Sequence, residues 1–134
     1  MKIAVVGSRD YFPLSDVDDY INSLPLDTTI VSGNAKGVDQ RAEQAARKRG
    51  MEVVSLPADW ANLGPGAGII RNRKIVDLAD VVVAFWDLKS RGTADTIQVA
   101  DKHGKLRKVN ISLPKAIYIA NKIRGGAILE SHLL

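Results

Sequence analysis

Five short apolar runs alternate with helical patterns along the chain, and this alternation constrains the fold more than any other feature. Residues 2–6 (KIAVV), 28–32 (TTIVS), 52–56 (EVVSL), 80–86 (DVVVAFW) and 107–112 (RKVNIS) read as strands. Continuous apolar runs suit parallel strands covered on both faces. Val17, Tyr20, Ile21 and Leu24 stand at i, i+3, i+4 and i+7, the spacing of an amphipathic helix. Ser15 with Asp18 reads as the capping box that opens it. In the second helix Val38, Ala42, Ala45 and Ala46 share an inner face. Arg47, Lys48 and Arg49 complement its dipole, and Gly50 ends it. Residues 57–68 form a long loop, and loops of this length in small domains are usually functional or mobile. A third helix is expected over 69–79, opened by Arg71 and Arg73. A fourth follows "KSRG", and a last one spans 114–123. The pattern predicts an α/β sandwich with a parallel sheet. The run 80–86, the most apolar, is expected at its centre. The chain reads as one domain over 1–134, with a core over 1–112 and a C-terminal helix and tail over 113–134.

Composition narrows the chemistry. No apolar run in the 134 residues approaches the roughly 20 needed to span a bilayer. The start, "MKIAVVG", is too short and too quickly ended to be a signal peptide. There is no cysteine, which removes disulfides, thiolate metal sites and thiol catalysis and fits a cytoplasmic protein. Two histidines, His103 and His132, do not make a metal centre, so neither metal nor cofactor is expected. A net charge of +4 and a pI near 9.5 favour anionic partners, although a basic solvated surface explains them equally well.

Ligands of open parallel sheets bind beyond the carboxyl ends of the strands. Four loops are expected there: "GSRDYF" (7–12), "SGNAKGVD" (32–39), the long loop with Trp60, and "WDLKSRGTADT" (86–96). Gly33 and Gly37 let a ligand approach the main chain, and the helix that follows aims free N–H groups at it. "SRGT" repeats the arrangement. Neither a G-x-G-x-x-G fingerprint nor a P-loop is present. The candidate ligand-binding residues are Gly7, Ser8 and Arg9 in the first loop, and Ser32, Gly33, Asn34, Lys36, Gly37 and Asp39 in the second. Trp60, Arg71 and Arg73 follow, and then Ser90, Arg91, Gly92 and Thr93. Each has a plainer alternative. Glycine suits any tight turn, arginine suits any surface, and Asp39 and Asp95 suit the positive ends of helices. Tyr11, Phe12, Trp60 and Trp86 can stack on a base or pack in the core.

Taken together, "GSRDYF", "SGNAKGVDQRAEQAA", "PADWANLGPGAGIIRNRKIVDLADVVVAF" and "SRGTADT" resemble the YspA-like branch of the SLOG superfamily. That superfamily also holds the Lonely Guy (LOG) phosphoribohydrolases and the DNA-processing protein DprA. The resemblance runs from about residue 2 to 109. It implies a Rossmann-like three-layer sandwich whose five-stranded sheet has the order 3-2-1-4-5. It also implies a nucleotide or nucleotide-derived ligand, of NAD, ADP-ribose or cyclic-nucleotide type, held for sensing or sequestration. LOG enzymes cleave the N-glycosidic bond of nucleotides. Here Arg73 matches their helical arginine, and Gly92 and Thr93 match their G-T pair. Their glutamate position is Thr96, with Asp95 adjacent and shorter. A nucleotide N-glycosidase using Asp95 or Asp39, with Arg73, is therefore the alternative. DprA-like nucleic-acid binding ranks last, because the basic residues are scattered over several helices. The resemblance also suggests a homo-oligomer, a dimer or higher, with the tail "AILESHLL" apolar enough to pack on a partner.

Overall fold

The computed structural model of the protein describes residues 1–123. Its strands are β1 (Lys2–Gly7), β2 (Thr29–Ser32), β3 (Val53–Ser55), β4 (Val81–Trp86) and β5 (Leu106–Ile111). Its helices are α1 (Ser15–Asn22), α2 (Val38–Lys48), α3 (Trp60–Leu63), α4 (Ala67–Leu78), α5 (Arg91–Lys102) and α6 (Lys115–Ile123). The five strands are parallel and ordered β3-β2-β1-β4-β5, as the family resemblance implied.

Side chains alternate across a strand, and here both faces are apolar. Ile3 and Val5 of β1, Ile30 of β2, and Val83 and Phe85 of β4 face one side. There they pack with Val17 and Ile21 of α1 and with Val38, Ala42 and Ala46 of α2. Ala4 and Val6, Val31, and Val82 and Ala84 face the other side. They meet Ile75 and Val76 of α4 and Ala100 of α5. Full burial of each Val or Ile side chain contributes about 1.5–3 kcal/mol, so the two cores hold the three layers together. No helix among the described residues is long and apolar enough to cross a membrane.

Several sequence expectations change here. β1, not β4, is the central strand; β4 lies beside it, between β1 and β5. Both positions are interior, and an interior position demands only apolar residues on both faces, so the most apolar run need not be the middle one. The edge strand β5 carries exposed Arg107 and Lys108, charges that discourage edge-to-edge pairing. The capping box does not form: the residue before α1 is Leu14, and no side chain caps that end. Asp18 instead takes a two-pronged ion pair from Arg41 of α2, at 2.8 and 2.7 Å. The Arg41 hydrogen bonds hold the Asp18 carboxyl below its usual range.

The loop 57–68 is also partly helical. Asp59 caps α3 through the Asn62 N–H at 3.3 Å, and a 3-10 turn over Gly64–Gly66 leads straight into α4. α4 therefore starts at Ala67 rather than 69, which moves Arg71 and Arg73 into its second turn instead of its opening. The tail "AILESHLL" and its expected role in self-association lie outside the described residues.

Candidate functional site

The order of strand addition reverses between β1 and β4: from β1 the sheet grows one way through β2 and β3, and the other way through β4 and β5. The loops after β1 and β4 diverge at such a point and leave a crevice. A cleft of about 280 Å³ lies there. Gly7 and Arg9 after β1, Ala35, Lys36 and Asp39 after β2, and Ser90, Gly92 and Thr93 after β4 form its rim. Arg71, Asn72 and Ile75 of α4 close one side, and Thr96 of α5 another.

The glycines are there because two loops touch. Gly37 has φ +89°, and a Cβ on it would strike the Arg9 backbone. On Gly7 a Cβ would lie 2.5 Å from the Phe85 carbonyl oxygen and 2.6 Å from Val38 Cβ. The β1 loop and the start of α2 are thus pressed together at main-chain distance. Gly33 is different: its Cβ would meet Arg71 Nη1 at 2.6 Å and Asp39 Oδ2 at 2.9 Å, so its missing side chain makes room for functional groups.

Asp39 lies under the cleft and is only 5% exposed. The Gly7 N–H donates to its Oδ1 at 3.1 Å and the Ala35 N–H to its Oδ2 at 3.3 Å. Burial pushes its carboxyl up to about 7, against the pull of those N–H groups and of the nearby Arg71 guanidinium; Glu43, also buried, adds to the push. Arg71 is held in place: Nη1 donates to the Gly33 carbonyl, and Nε to Asn72 Oδ1 at 2.9 Å. Asn72 Nδ2 in turn donates to the Gly92 carbonyl at 3.3 Å, as does the Thr96 hydroxyl at 3.1 Å. Arg9 and Lys36 are exposed on the rim and form no ion pair among the described residues.

Beneath the β4 loop, Ser8 is fully buried with its hydroxyl 3.3 Å from that of Thr93. Ser90 caps α5 by accepting from the Thr93 N–H at 3.3 Å. Burial would raise Asp87, but the N–H groups of Ser90 and Lys89 and the Ser8 hydroxyl hold it below the usual carboxylate range. Ser32 sits behind the cleft, its hydroxyl donating to the Asp39 carbonyl at 3.3 Å.

Other sequence candidates lie outside the cleft lining. Asn34, at φ 56°, is exposed in the second loop, and Arg91 is exposed at the start of α5. Arg73 points to solvent from α4. Trp60 is 58% exposed, its ring against Gly68. Asp95 is also absent from the lining, and its Oδ2 is buried without a partner. Of the aromatics, Tyr11 belongs to the core, edge-on to Phe85 at 5.4 Å. Trp86 donates its ring N–H to the Ser90 carbonyl at 3.1 Å.

Asn72 and Thr96 were not singled out from the sequence. Asn72 was discoverable, since it stands between two arginines one turn before the buried Ile75 and Val76. Thr96 carries no sequence signal beyond its place in the LOG alignment. The burial of Asp39 was likewise hidden, because an acid in the first turn of a helix is usually explained by the dipole.

Comparison with known proteins fits this architecture. The structure of DNA processing protein A (DprA) from Streptococcus pneumoniae superposes with a TM-score of 0.70 at 26% identity, over 94% of this chain and 56% of that one. DprA from Helicobacter pylori, described for its single-stranded DNA binding mode, superposes at 0.56 with 23% identity, over 81% of this chain and 64% of that one. The chain thus spans 56–64% of these relatives. No curated protein matches it. These neighbours overturn the low rank given to nucleic acid among the partners. That rank rested on scattered charge, but a strand-end cleft gathers cations from separate elements, as Arg9, Lys36 and Arg71 show. Residues 1–62, which include the two loops that press together at the cleft, match the model of the YspA, cpYpsA-related SLOG family.

Proposed function

We propose that the cleft binds the phosphate of a nucleotide unit, carried by a free nucleotide-derived ligand or by single-stranded nucleic acid. The observation that carries this reading is the convergence of Arg9, Lys36 and Arg71 on one cleft beside the starts of α2 and α5. Unpaired helix N–H groups and positive dipole ends favour an anion. Three cations from three elements add a field that no single loop supplies. The likeness to DprA, one of whose structures concerns single-stranded DNA, supports a nucleic-acid partner. The match to the YspA, cpYpsA-related SLOG family over residues 1–62 supports a nucleotide ligand held for sensing or sequestration. A cysteine-free chain fits the cytoplasm in either case.

One observation favours a second reading, N-glycosidic hydrolysis. Asp39 is a carboxyl that titrates near neutrality at a ligand cleft, as a general acid or base does. Asp39, rather than Asp95, is then the carboxylate for such chemistry, since only Asp39 lines the cleft.

The test is direct binding of AMP, ADP-ribose, NAD and a labelled single-stranded oligonucleotide to the wild type and to Arg9→Ala. Arg9 is suited to this because its side chain is exposed and outside any ion pair among the described residues. The variant should keep its melting temperature and bind about tenfold more weakly, the worth of one charge-assisted hydrogen bond. Strand affinity should fall with salt, with a log–log slope near −0.7 per phosphate contacted. Equal affinity of wild type and variant, or no binding of any of these ligands, sinks the proposal. Release of free base from AMP or NAD, lost in Asp39→Asn, would establish the second reading.

A further inference from the structure

The β1–α1 and β4–α5 loops run past the cleft and line a second hollow of about 420 Å³. Arg9 lines the cleft and the next residue, Asp10, lines the hollow; Ser90 lines the cleft and Lys89 the hollow. Consecutive Cα atoms are about 3.8 Å apart, so the two spaces share a wall. That wall is tied together, for the Asp87 N–H donates to the Ser8 hydroxyl at 3.1 Å. The far side of the hollow is the start of the segment after β5. It is fastened to Phe12 by the Leu113 N–H at 2.9 Å and by the Ser112 side chain at 2.9 and 3.1 Å.

Two features mark the hollow, whose β4 side turns on the Asp87 carboxylate as it accepts from the Lys89 and Ser90 N–H groups at 2.9 and 2.8 Å. Leu88 has φ +67°, a conformation that favours glycine and is costly for a residue whose side chain cannot hydrogen-bond locally. Yet Leu88 is 59% exposed, so the fold buries little of it in return. Outliers of this kind gather at ligand sites. Asp10, also exposed, forms no ion pair among the described residues although Lys89 and Lys115 line the same hollow. Phe12 offers an aromatic ring, edge-on to Tyr118 at 4.7 Å, with the Lys115 ammonium 5.5 Å from its centre.

We propose that this hollow seats a second nucleobase, joined through a phosphate to the unit held in the cleft, so that the ligand carries at least two nucleotides. The proposal rests on the phosphate-binding reading of the cleft. Leu88, Phe12 and Pro114 supply apolar walls for the faces of a base. The Asp10 carboxylate accepts from an exocyclic amine on its edge. Lys89 and Lys115 donate to the linking phosphate, while Asp87 of the same lining is turned to the Lys89 and Ser90 N–H groups. Two sources share this chemistry, a free dinucleotide and a single strand.

The experiment measures affinities of AMP, of 5′-phosphorylated adenylyl-adenosine, whose first unit carries the same phosphate as AMP, and of a short 5′-phosphorylated oligoadenylate strand for the wild type, Leu88→Gly and Asp10→Ala. Glycine suits the backbone at position 88, so Leu88→Gly removes the side chain without straining the fold. The wild type should bind the dinucleotide about tenfold more tightly than AMP, the usual worth of one seated base. In both variants that advantage should shrink to about threefold or less, with AMP binding unchanged. A strand bound more tightly than the dinucleotide identifies nucleic acid as the source; equal binding identifies a free dinucleotide. With the dinucleotide bound more tightly than AMP, either result supports the second seat. Equal affinity of AMP and dinucleotide for the wild type overturns the seat and leaves the cleft reading standing. Variants that weaken AMP and dinucleotide alike also overturn it. Failure of the wild type to bind AMP, dinucleotide or strand overturns the cleft reading and the seat together.

Discussion

Gly37→Ala is expected to lower stability by about 3–5 kcal/mol and the melting temperature by on the order of 10–15 °C. Two costs add. Position 37 has φ +89° and ψ −121°, a conformation essentially closed to residues with a Cβ, and a new Cβ would strike the main chain of Arg9. The obstacle is backbone, which cannot swing aside as a side chain does. Relief requires the β1 loop to part from the start of α2, and that parting removes Arg9 from the cleft. Ligand binding should therefore be lost even below the melting transition. Gly66→Ala is the control. Gly66 has φ −80° and nothing within 4 Å of its built Cβ, so alanine there should change stability by less than about 1 kcal/mol. Thermal unfolding followed by circular dichroism compares the two. A loss below about 1 kcal/mol for Gly37→Ala would show that the loops are not in the contact described.

The second large effect is a pH dependence carried by Asp39. Its folded pKa is raised, from an ordinary value near 3.8 to about 7. Between those values the folded protein holds a proton that the unfolded chain releases. The stabilising contribution is therefore complete below about pH 4 and is lost as pH rises through 7. Relative to Asp39→Asn, which cannot ionise, the wild type should lose about 1.4 kcal/mol per pH unit in that window, roughly 4 kcal/mol in all. The comparison cancels a constant cost, because the Asn amide must face one of the two N–H groups, from Gly7 and Ala35, that Asp39 accepts. Asp18 and Asp87 run the other way: their lowered pKa values contribute stability that is lost only as pH falls below the ordinary carboxylate range. An anion in the cleft favours protonated Asp39, so phosphate ligands should bind more tightly at pH 6 than at pH 8. Denaturant midpoints of both proteins from pH 4.5 to 8 provide the check. Parallel stability curves would mean that Asp39 is ionised throughout.

The alternation of apolar runs with helical spacing was enough to place five strands, the helices on both faces and the parallel pairing. These follow from local periodicity and from the need to cover both faces of a sheet, which are properties of neighbouring residues along the chain. That the glycines at 7, 33 and 37 and the cations at 9 and 36 stand at strand ends was likewise legible, because the same periodicity marks where each strand stops. What the sequence left open depends on distances between residues far apart in the chain. The strand order came from family resemblance, and the most apolar strand proved not to be the central one. Asp18 left its expected capping role for Arg41, 23 residues away. Thr96 and Asn72, rather than Asp95 and Arg73, face the cleft, because one residue along a helix turns a side chain by about 100°. Asp39 reads in sequence as an acid at a helix start. Only the packing of α2 against Gly7, Gly33 and Arg71 makes it a buried carboxyl near neutrality, since desolvation is set by what surrounds a group in space and not by what precedes it in the chain.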